Sequence, residues 1–600
     1  MQNPNQSLNQ TLQARYPHLE LAILPLSQVQ KDNESKRIDS EYFKKECLEN
    51  EAMLLRLNST QLKDTDISIK HPAEIQRNYV DSENGVWFFR TQNLRPLFID
   101  SESNRVFISK QDAKKLEKNL IQKDDILITR TGANCGDCAV YNIDMETIAS
   151  SHILIAKNSF FNQCFLAVFL NTQYGKKQIN RGIYGGLQPE IAPYYLKNIY
   201  VPQFSQDFQR EIQNLVQDSH KALEDSKALY KDAERLLYEA LGLDSNNPLA
   251  SLQNDTHPLA PSAREGEQES ESKSPLPCGG DLGVGKNNKN IDCHENSLRS
   301  FSRNDNKGLD CHDLTTQNLA MTSATHSPSL VINTPPQTPP ARGGAYNDSP
   351  SLAEGARGWV NPNNDDIAQK YPHLNLSIRS LSQSYGISGR LDSEYYQSKY
   401  DLMESKIKSK GFKTLQEICS LINYGSVPTS PYTENGKGVP YIKGLNLKNL
   451  EISEDKLDRI TNVENLDSRF FTKENDIIIS QMGTVGDCGV VSKAQENYIF
   501  ASFTIRIRLK YKQEFNPYFV ALYIQNIAKE WYLLRNIAQA SVRQNTDLPT
   551  IRNLYIPLVD STTQTQIAQK IQKSFALRKE SKDLLQSAKA KVEKAIENFS

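Results

Sequence analysis

Asp125-Ile126-Leu127-Ile128-Thr129-Arg130-Thr131-Gly132 is an apolar run that ends in a glycine turn. About 350 residues later Asp476-Ile477-Ile478-Ile479-Ser480-Gln481-Met482-Gly483 repeats its frame. Short apolar runs bounded by polar turns read as strands. The repetition runs in order along the chain. Pro17-His18-Leu19 returns as Pro372-His373-Leu374, and Arg37-Ile38-Asp39-Ser40-Glu41-Tyr42 as Arg390-Leu391-Asp392-Ser393-Glu394-Tyr395. Leu196-Lys197-Asn198-Ile199-Tyr200-Val201-Pro202 returns as Ile551-Arg552-Asn553-Leu554-Tyr555-Ile556-Pro557. Solenoids and propellers repeat every roughly 20–50 residues, so each copy here is domain-sized. Two similar domains on one chain make a pseudo-dimer, which suits a target with two halves.

Six hundred residues exceed one core and call for two to four domains. Mean hydropathy is -0.58, with no apolar run of the roughly 18 residues a membrane span needs. The amino terminus, Met1-Gln2-Asn3-Pro4, is polar, so no leader is expected. The nine cysteines are scattered, which suits a reducing, cytoplasmic setting. A net charge of -1 gives no global sign of nucleic acid; a DNA-binding face would need local Lys/Arg clustering or a basic partner.

Residues 1–206 read as mixed α/β with short strands at Val86–Arg90, Val106–Ile108 and Asp125–Thr129, then a short buried helix from Cys164 to Leu170. The matching stretches of the second copy, 366–560, are Val439–Lys443, Asp476–Ser480 and Pro517–Ile527. Each copy ends in a long helix, at 207–243 and 561–600. Phe208, Ile212, Leu215, Ser219, Ala222, Ser226, Leu229, Ala233, Leu236 and Ala240 alternate steps of four and three, the period of a coiled-coil seam. Ile567, Ile571, Ser574, Arg578, Ser581, Leu585, Ala588, Val592 and Ala595 do the same. At a constant offset Val216 also matches Ile571 and Ala233 matches Ala588. Shared length, spacing and small-residue positions favour two helices packed on each other over two packed on their own domains. A rod of about 35 residues is on the order of 50 Å long.

Residues 244–365 are rich in Ser, Asn, Pro and Gly, too poor in apolar residues to offset ordering entropy, and read as a disordered linker. Asp292-Cys293-His294 and Asp310-Cys311-His312 echo each other there. Their adjacent Cys and His lack the spacing of known zinc sites, so no metal is expected.

Three loop pairs are candidate DNA contacts. The first is Thr129, Arg130, Thr131 and Gly132, matched by Ser480, Gln481 and Gly483. A strand runs into a glycine turn that lets backbone approach a partner, and Arg130 has the fork for a phosphate or a guanine edge. The frame is kept while Arg-Thr becomes Gln-Met, as expected of two readers of different half-sites. An ordinary hairpin with variable tips fits the same residues. The second is Gln188 in Gly185-Gly186-Leu187-Gln188-Pro189, matched by Arg543 and Gln544. Gln suits adenine and Arg guanine; a loop capping the next helix is the plain alternative. The third is Arg90, Thr91 and Asn93, matched by Lys443 and Asn446. It fits phosphate positioning and a surface turn equally. Cys135-Gly136-Asp137-Cys138 becomes Val485-Gly486-Asp487-Cys488, and a functional pair would have stayed a pair, so small residues in a tight turn explain it. No methyltransferase Asn/Asp-Pro-Pro-Tyr tetrad, P-loop or His-Glu-x-x-His is present, and no catalytic residues are assigned.

These residues resemble the specificity subunit of a Type I restriction–modification system. The resemblance rests on the strand-turn at 125–132 and 476–483, the Gly-x-x-Gln-Pro run leading through Leu-Lys-Asn-Ile-Tyr-Val-Pro into a long helix, and the order domain, helix, domain, helix. It covers most of the chain outside the linker, whose length departs from the family's short connection. It implies an α+β fold with two target-recognition domains, each reading half of a split DNA sequence. It further implies that the helices form an antiparallel coiled coil that sets the gap, packed through Ile212, Val216, Leu229, Ala233, Leu236, Ile567, Ile571, Leu585, Ala588 and Val592. Implied partners are double-stranded DNA, two methyltransferase subunits and ATP-dependent restriction subunits. The chain would be non-catalytic and without a cofactor, since S-adenosylmethionine, ATP and Mg would serve the partners. A coiled-coil scaffold with protein-binding domains and a restriction enzyme with its own catalytic centre are the competing readings.

Overall fold

A computed structural model of the chain describes residues 11–252, 329–334 and 375–598, with breaks at 22, 31–32, 34–35, 76–77, 158–159, 249–250, 383, 386–388, 434–435, 456 and 538–544. Two compact units result, Met1–Ser245 with Ile407–Ser600, and Asn246–Lys406.

In the larger unit the two copies build the same sheet. The first orders its strands Cys138–Val140, Ile126–Thr129, Ile153–Lys157 and Ser68–Lys70. The second orders Cys488–Val490, Ile477–Ser480, Thr504–Leu509 and Cys419–Tyr424. Register agrees, with Thr129 opposite Ile153 and Ser480 opposite Thr504. Ile126–Thr129 and Ile477–Ser480 are buried throughout, which is why both runs are apolar at every position rather than at alternate ones. The repeated aspartate that opens each run has a local task. Asp125 accepts the Gln122 N–H at 2.8 Å and pairs with Lys157 at 3.2 Å. Asp476 accepts the Lys473 N–H at 2.8 Å and pairs with Arg508 at 2.6 Å.

A second sheet joins Gly85–Phe89 in parallel to Thr147–Ala149, and Val439–Ile442 to Ile499–Phe500. The first copy extends this sheet to five strands and the second stops at three. Antiparallel pairs Ser59–Gln61 with Tyr200–Pro202, and Phe412–Thr414 with Tyr555–Pro557, lead each domain into its long helix.

Those helices span Gln206–Leu241 and Ser561–Asn598. Ser205 starts the first by accepting the Phe208 N–H at 3.2 Å, and Gly242, left-handed at φ 68°, ends it. Asp560 starts the second by accepting the Thr563 N–H at 2.8 Å. The helices run antiparallel. Ser219 Oγ donates to the Ser581 carbonyl at 2.9 Å, and Ser226 Oγ to the Ser574 carbonyl at 2.8 Å. Ser219 matches Ser574 in sequence and Ser226 matches Ser581, so each contact is the image of the other. That is the signature of a two-fold axis.

The buried face of the first helix differs from the expected seam. Ile212, Val216, Ser219, Ala222, Ser226 and Ala233 lie in it as expected. Tyr230, Leu237 and Leu241 complete it, and Leu215, Leu229 and Leu236 are only half-buried at its edge. The helix packs on its own domain as well as on its partner, which turns the apolar stripe by one residue. On the second helix Ile567, Ile571, Ser574, Ser581, Ala588 and Val592 are buried, Leu585 is half-buried, and Ile596 is buried beside the expected Ala595.

Each domain also touches the helix of the other copy. The Gln173 N–H donates to Glu593 at 2.8 Å and the Tyr174 hydroxyl to Glu597 at 3.2 Å. In return, Gln525 donates to the Tyr230 hydroxyl at 3.1 Å and Asn526 to Glu234 at 2.6 Å. Ala588, Val592 and Ile596 of the second helix share one core with Phe165, Val168 and Phe169 of the first domain.

The repeated Arg-x-Asp-Ser-Glu-Tyr segment folds alike in both units. Arg37 grips Asp39 through two bonds of 2.7 Å, and Asp39 accepts the Tyr42 N–H at 3.1 Å. Arg390, Asp392 and Tyr395 repeat this within the smaller unit. There Ser329–Thr334 pairs in parallel with Asn375–Ser380. The remainder of the expected linker from 253 onward, including both Cys-His pairs, lies outside the described residues.

Candidate nucleic-acid interface

In both copies the end of the central strand is a crossing of loops. After Thr129 the chain turns through Gly132 and returns so that the Thr129 N–H donates to the Asp137 carbonyl at 2.8 Å. Ser480 makes the same bond to Asp487 at 2.8 Å. Gly132 at φ 106° and Gly483 at φ 82° occupy the left-handed region that other residues avoid. A Cβ on either would meet no atom within 4 Å, so both turns are open to a partner.

A second loop is tied to each turn. The Gly132 N–H donates to Pro189 at 2.9 Å and the Ile191 N–H to Arg130 at 3.0 Å. In the second copy the Thr546 N–H donates to Gln481 at 3.1 Å. Two stretches separated by more than fifty residues therefore share one edge. A third loop enters from the strand beside it, where the Arg130 N–H donates to His152 at 2.8 Å and that of Gln481 to Phe503 at 3.0 Å.

Arg130 is half-buried and ion-paired with Glu190, which also accepts the Tyr184 hydroxyl at 3.1 Å. Burial, and then its contact with Glu190, push the Tyr184 phenol up, so it stays a neutral donor. The pairing holds the guanidinium at the rim. Gln188 stands exposed on the same loop beside Leu187. Gln481 is half-buried at the equivalent of Arg130. Thr131 is buried, with its hydroxyl lacking a partner.

Other expected contacts are structural. Thr129 and Ser480 are wholly buried in their strands. Asn93 is buried and donates to the Ser103 carbonyl at 3.0 Å, while its Oδ1 accepts the Arg90 N–H at 3.2 Å. Asn446 is buried and accepts the Lys443 N–H at 2.9 Å. These asparagines close a turn, which is why they recur in both copies, and they have no surface to offer DNA. Arg90 donates to Asn104 at 3.0 Å beside a half-buried Thr91, and Lys443 pairs with Asp458. Arg543 and Gln544 lie outside the described residues. Glu190, His152 and Phe503 belong to the site and were missed; their one sequence signal is their fixed place next to strands that pair across the sheet.

Cys135 and Cys138 are buried thiols pushed up to about 12 by desolvation, unsuited to redox or metal chemistry at neutral pH. Among the described residues no cluster of His, Cys, Asp and Glu is able to hold a metal ion, and no helix is long and apolar enough to cross a membrane.

Residues 408–587 match the family model of the Type I restriction modification DNA specificity domain. The specificity subunit of the Type I restriction enzyme EcoBI of Escherichia coli is 22% identical over 218 residues, 35% of this chain and 45% of that protein. The match thus spans less than half of that relative. The crystal structure of a Type I restriction-modification S subunit from M. genitalium aligns over 90% of this chain and 96% of its own, at 11% identity and a TM-score of 0.37. The HsdS subunit of Thermoanaerobacter tengcongensis aligns over 90% and 97%, at 13% identity and a TM-score of 0.23.

Proposed function

We propose that this chain is the DNA sequence-recognition subunit of a Type I restriction–modification complex and catalyses no reaction itself. One observation carries the reading: two copies of one frame present differing tips, Arg130 and Gln481, at the same strand end. Each domain reads one half of a bipartite site. The antiparallel helices act as a coiled-coil spacer. At 36 and 38 residues they are on the order of 50 Å long, about one and a half turns of B-DNA, so unread base pairs separate the halves. Two-fold-related faces offer equivalent docking positions to two methyltransferase subunits. Those subunits use S-adenosylmethionine, and ATP- and Mg-dependent restriction subunits join them for cleavage.

Modification-sensitive long-read sequencing of the host genome, with the gene intact and deleted, tests this. The expected result is a split motif around a fixed gap that loses methylation on deletion. An unchanged methylome, together with no duplex binding by the purified chain, would return the scaffold reading.

A further inference from the structure

Three loops of the second domain end beside Ser480, and each carries an exposed apolar side chain. Val427 is 69% exposed, Leu445 63% and Phe503 58%. Backbone contacts bring the loops to one place. The Gln481 N–H donates to the Phe503 carbonyl at 3.0 Å, and the Ser426 N–H to the Phe500 carbonyl at 2.9 Å. Gly444, next to Leu445, approaches Ser480 so closely that an added Cβ would lie 2.8 Å from its hydroxyl. None of the three serves the core, because each points past a neighbour that does: Ser426, Asn446 and Thr504 are buried.

The first domain answers differently at the same positions. His152 stands where Phe503 does, since its carbonyl accepts the Arg130 N–H. Gln92 stands where Leu445 does, one residue before the turn-closing asparagine. Gln and His at one edge thus correspond to Leu and Phe at the other. Frames alike in their buried residues differ here in hydrogen-bonding capacity.

Resting on the recognition role proposed above, we infer that Val427, Leu445 and Phe503 form an apolar reader for the 5-methyl groups of thymine in the major groove of the half-site bound by the second domain. In that groove the methyl group is the apolar feature that distinguishes base pairs, and it is met by apolar side chains. The patch is continuous with the edge that presents Gln481. A solvent-exposed cluster of three apolar residues has no folding role to explain it.

The test uses the full-length chain and duplexes carrying its methylation motif, with thymidine replaced by deoxyuridine in one half-site at a time. Each methyl lost from an apolar contact weakens binding by about fourfold. One half-site responds, and the response disappears in the L445Q/F503H double variant, which carries the residues of the first domain. Because both positions are exposed, that variant keeps the unfolding temperature of the parent and its binding to the other half-site. Equal affinity for thymidine and deoxyuridine duplexes overturns the inference while leaving DNA recognition standing, and so does a response that survives in the variant. No duplex binding at all overturns both.

Discussion

Position 155 of the first copy and position 506 of the second occupy the same rung of the same sheet, yet one is isoleucine and the other an arginine with no exposed surface. The neighbourhoods explain the exchange. In the first copy Leu120–Ile121 adds a strand beside Thr147–Ala149, and Asn119 anchors it by donating to Ala73 at 2.8 Å and Ala149 at 3.0 Å. The second copy has only a single bridge there, Phe471 to Ile499. Arg506 does the anchoring instead, donating to Phe471 at 2.9 Å, Arg469 at 2.6 Å and the Asn423 side chain at 2.7 Å. Burial pushes its guanidinium down to about 10, with Asp476 opposing, so it is charged at neutral pH. One fold thus closes the same gap with a strand or with a charge.

The largest effect expected from breaking this difference is Arg506→Met. It strands three part-buried acceptors and removes a partner of the buried Asp476, costing about 3–5 kcal/mol. Urea unfolding with proteolysis as the readout should show residues 407–560 cut first. The reverse exchange, Ile155→Arg, places a charge where Asn119 and the extra strand already fill the space, and should destabilise the first domain comparably. A cost below about 1 kcal/mol for Arg506→Met would remove the guanidinium from the account.

The tips come next. Arg130→Gln and Gln481→Arg exchange the residues that the two frames hold at one strand end. If each domain reads its own half-site, each exchange alters discrimination in one half only, by about 1–3 kcal/mol, or roughly fivefold to 150-fold. Binding to duplexes mutated in one half at a time measures it. Equal losses on both halves would mean that residues 130 and 481 position the backbone rather than read bases.

How much of this was legible beforehand follows from the same residues. The strands Ile126–Thr129 and Ile477–Ser480 were plain, because an apolar run repeated in order has few readings. The helix face was half legible. Leu215-Val216, Leu229-Tyr230 and Leu236-Leu237 are adjacent apolar pairs, so either member satisfies a three-four spacing. Which one is buried depends on how the helix leans on its domain. Arg506 was illegible: Thr-Ile-Arg-Ile-Arg-Leu reads as an alternating strand with charges outward, and its acceptors lie some 35 and 83 residues away in sequence. Asn93 and Asn446 fit phosphate positioning and a turn equally in sequence, and their burial decides for the turn. Here identity between the copies marks what builds the frame.

A smaller effect sharpens the two-fold relation of the helices. Ser219 and Ser581 share a hydroxyl–hydroxyl contact of 2.8 Å, and Ser226 and Ser574 one of 2.9 Å. Ser219→Ala and its image Ser574→Ala should each cost about 1 kcal/mol. The cycle Ser219→Ala/Ser581→Ala should be non-additive, and Ser219→Ala/Ser226→Ala nearly additive. Unequal costs for the two images would show that the axis is broken at the seam.

The smallest effect concerns His220, whose image on the second helix is Phe575. His220 lines a small cavity between its helix and the first domain, with Phe98, Ile99, Asp144 and Glu224. Burial lowers its pKa from the usual 6.5; the Leu97 carbonyl and Glu224 oppose this, and Lys227 adds to it. A histidine with a lowered folded pKa binds its proton more readily when unfolded. Stability therefore rises with pH across the window between the folded value and about 6.5, and is lost as pH falls through it. Carboxylates titrate in the same range, so the informative quantity is the difference between the parent and His220→Phe. That variant installs the residue the other helix uses at the equivalent place. The difference should be flat above pH 7 and grow in favour of the variant as pH falls below about 6.5. A difference that stays constant with pH would mean that the imidazole titrates freely, and that the two helices differ at this position in shape alone.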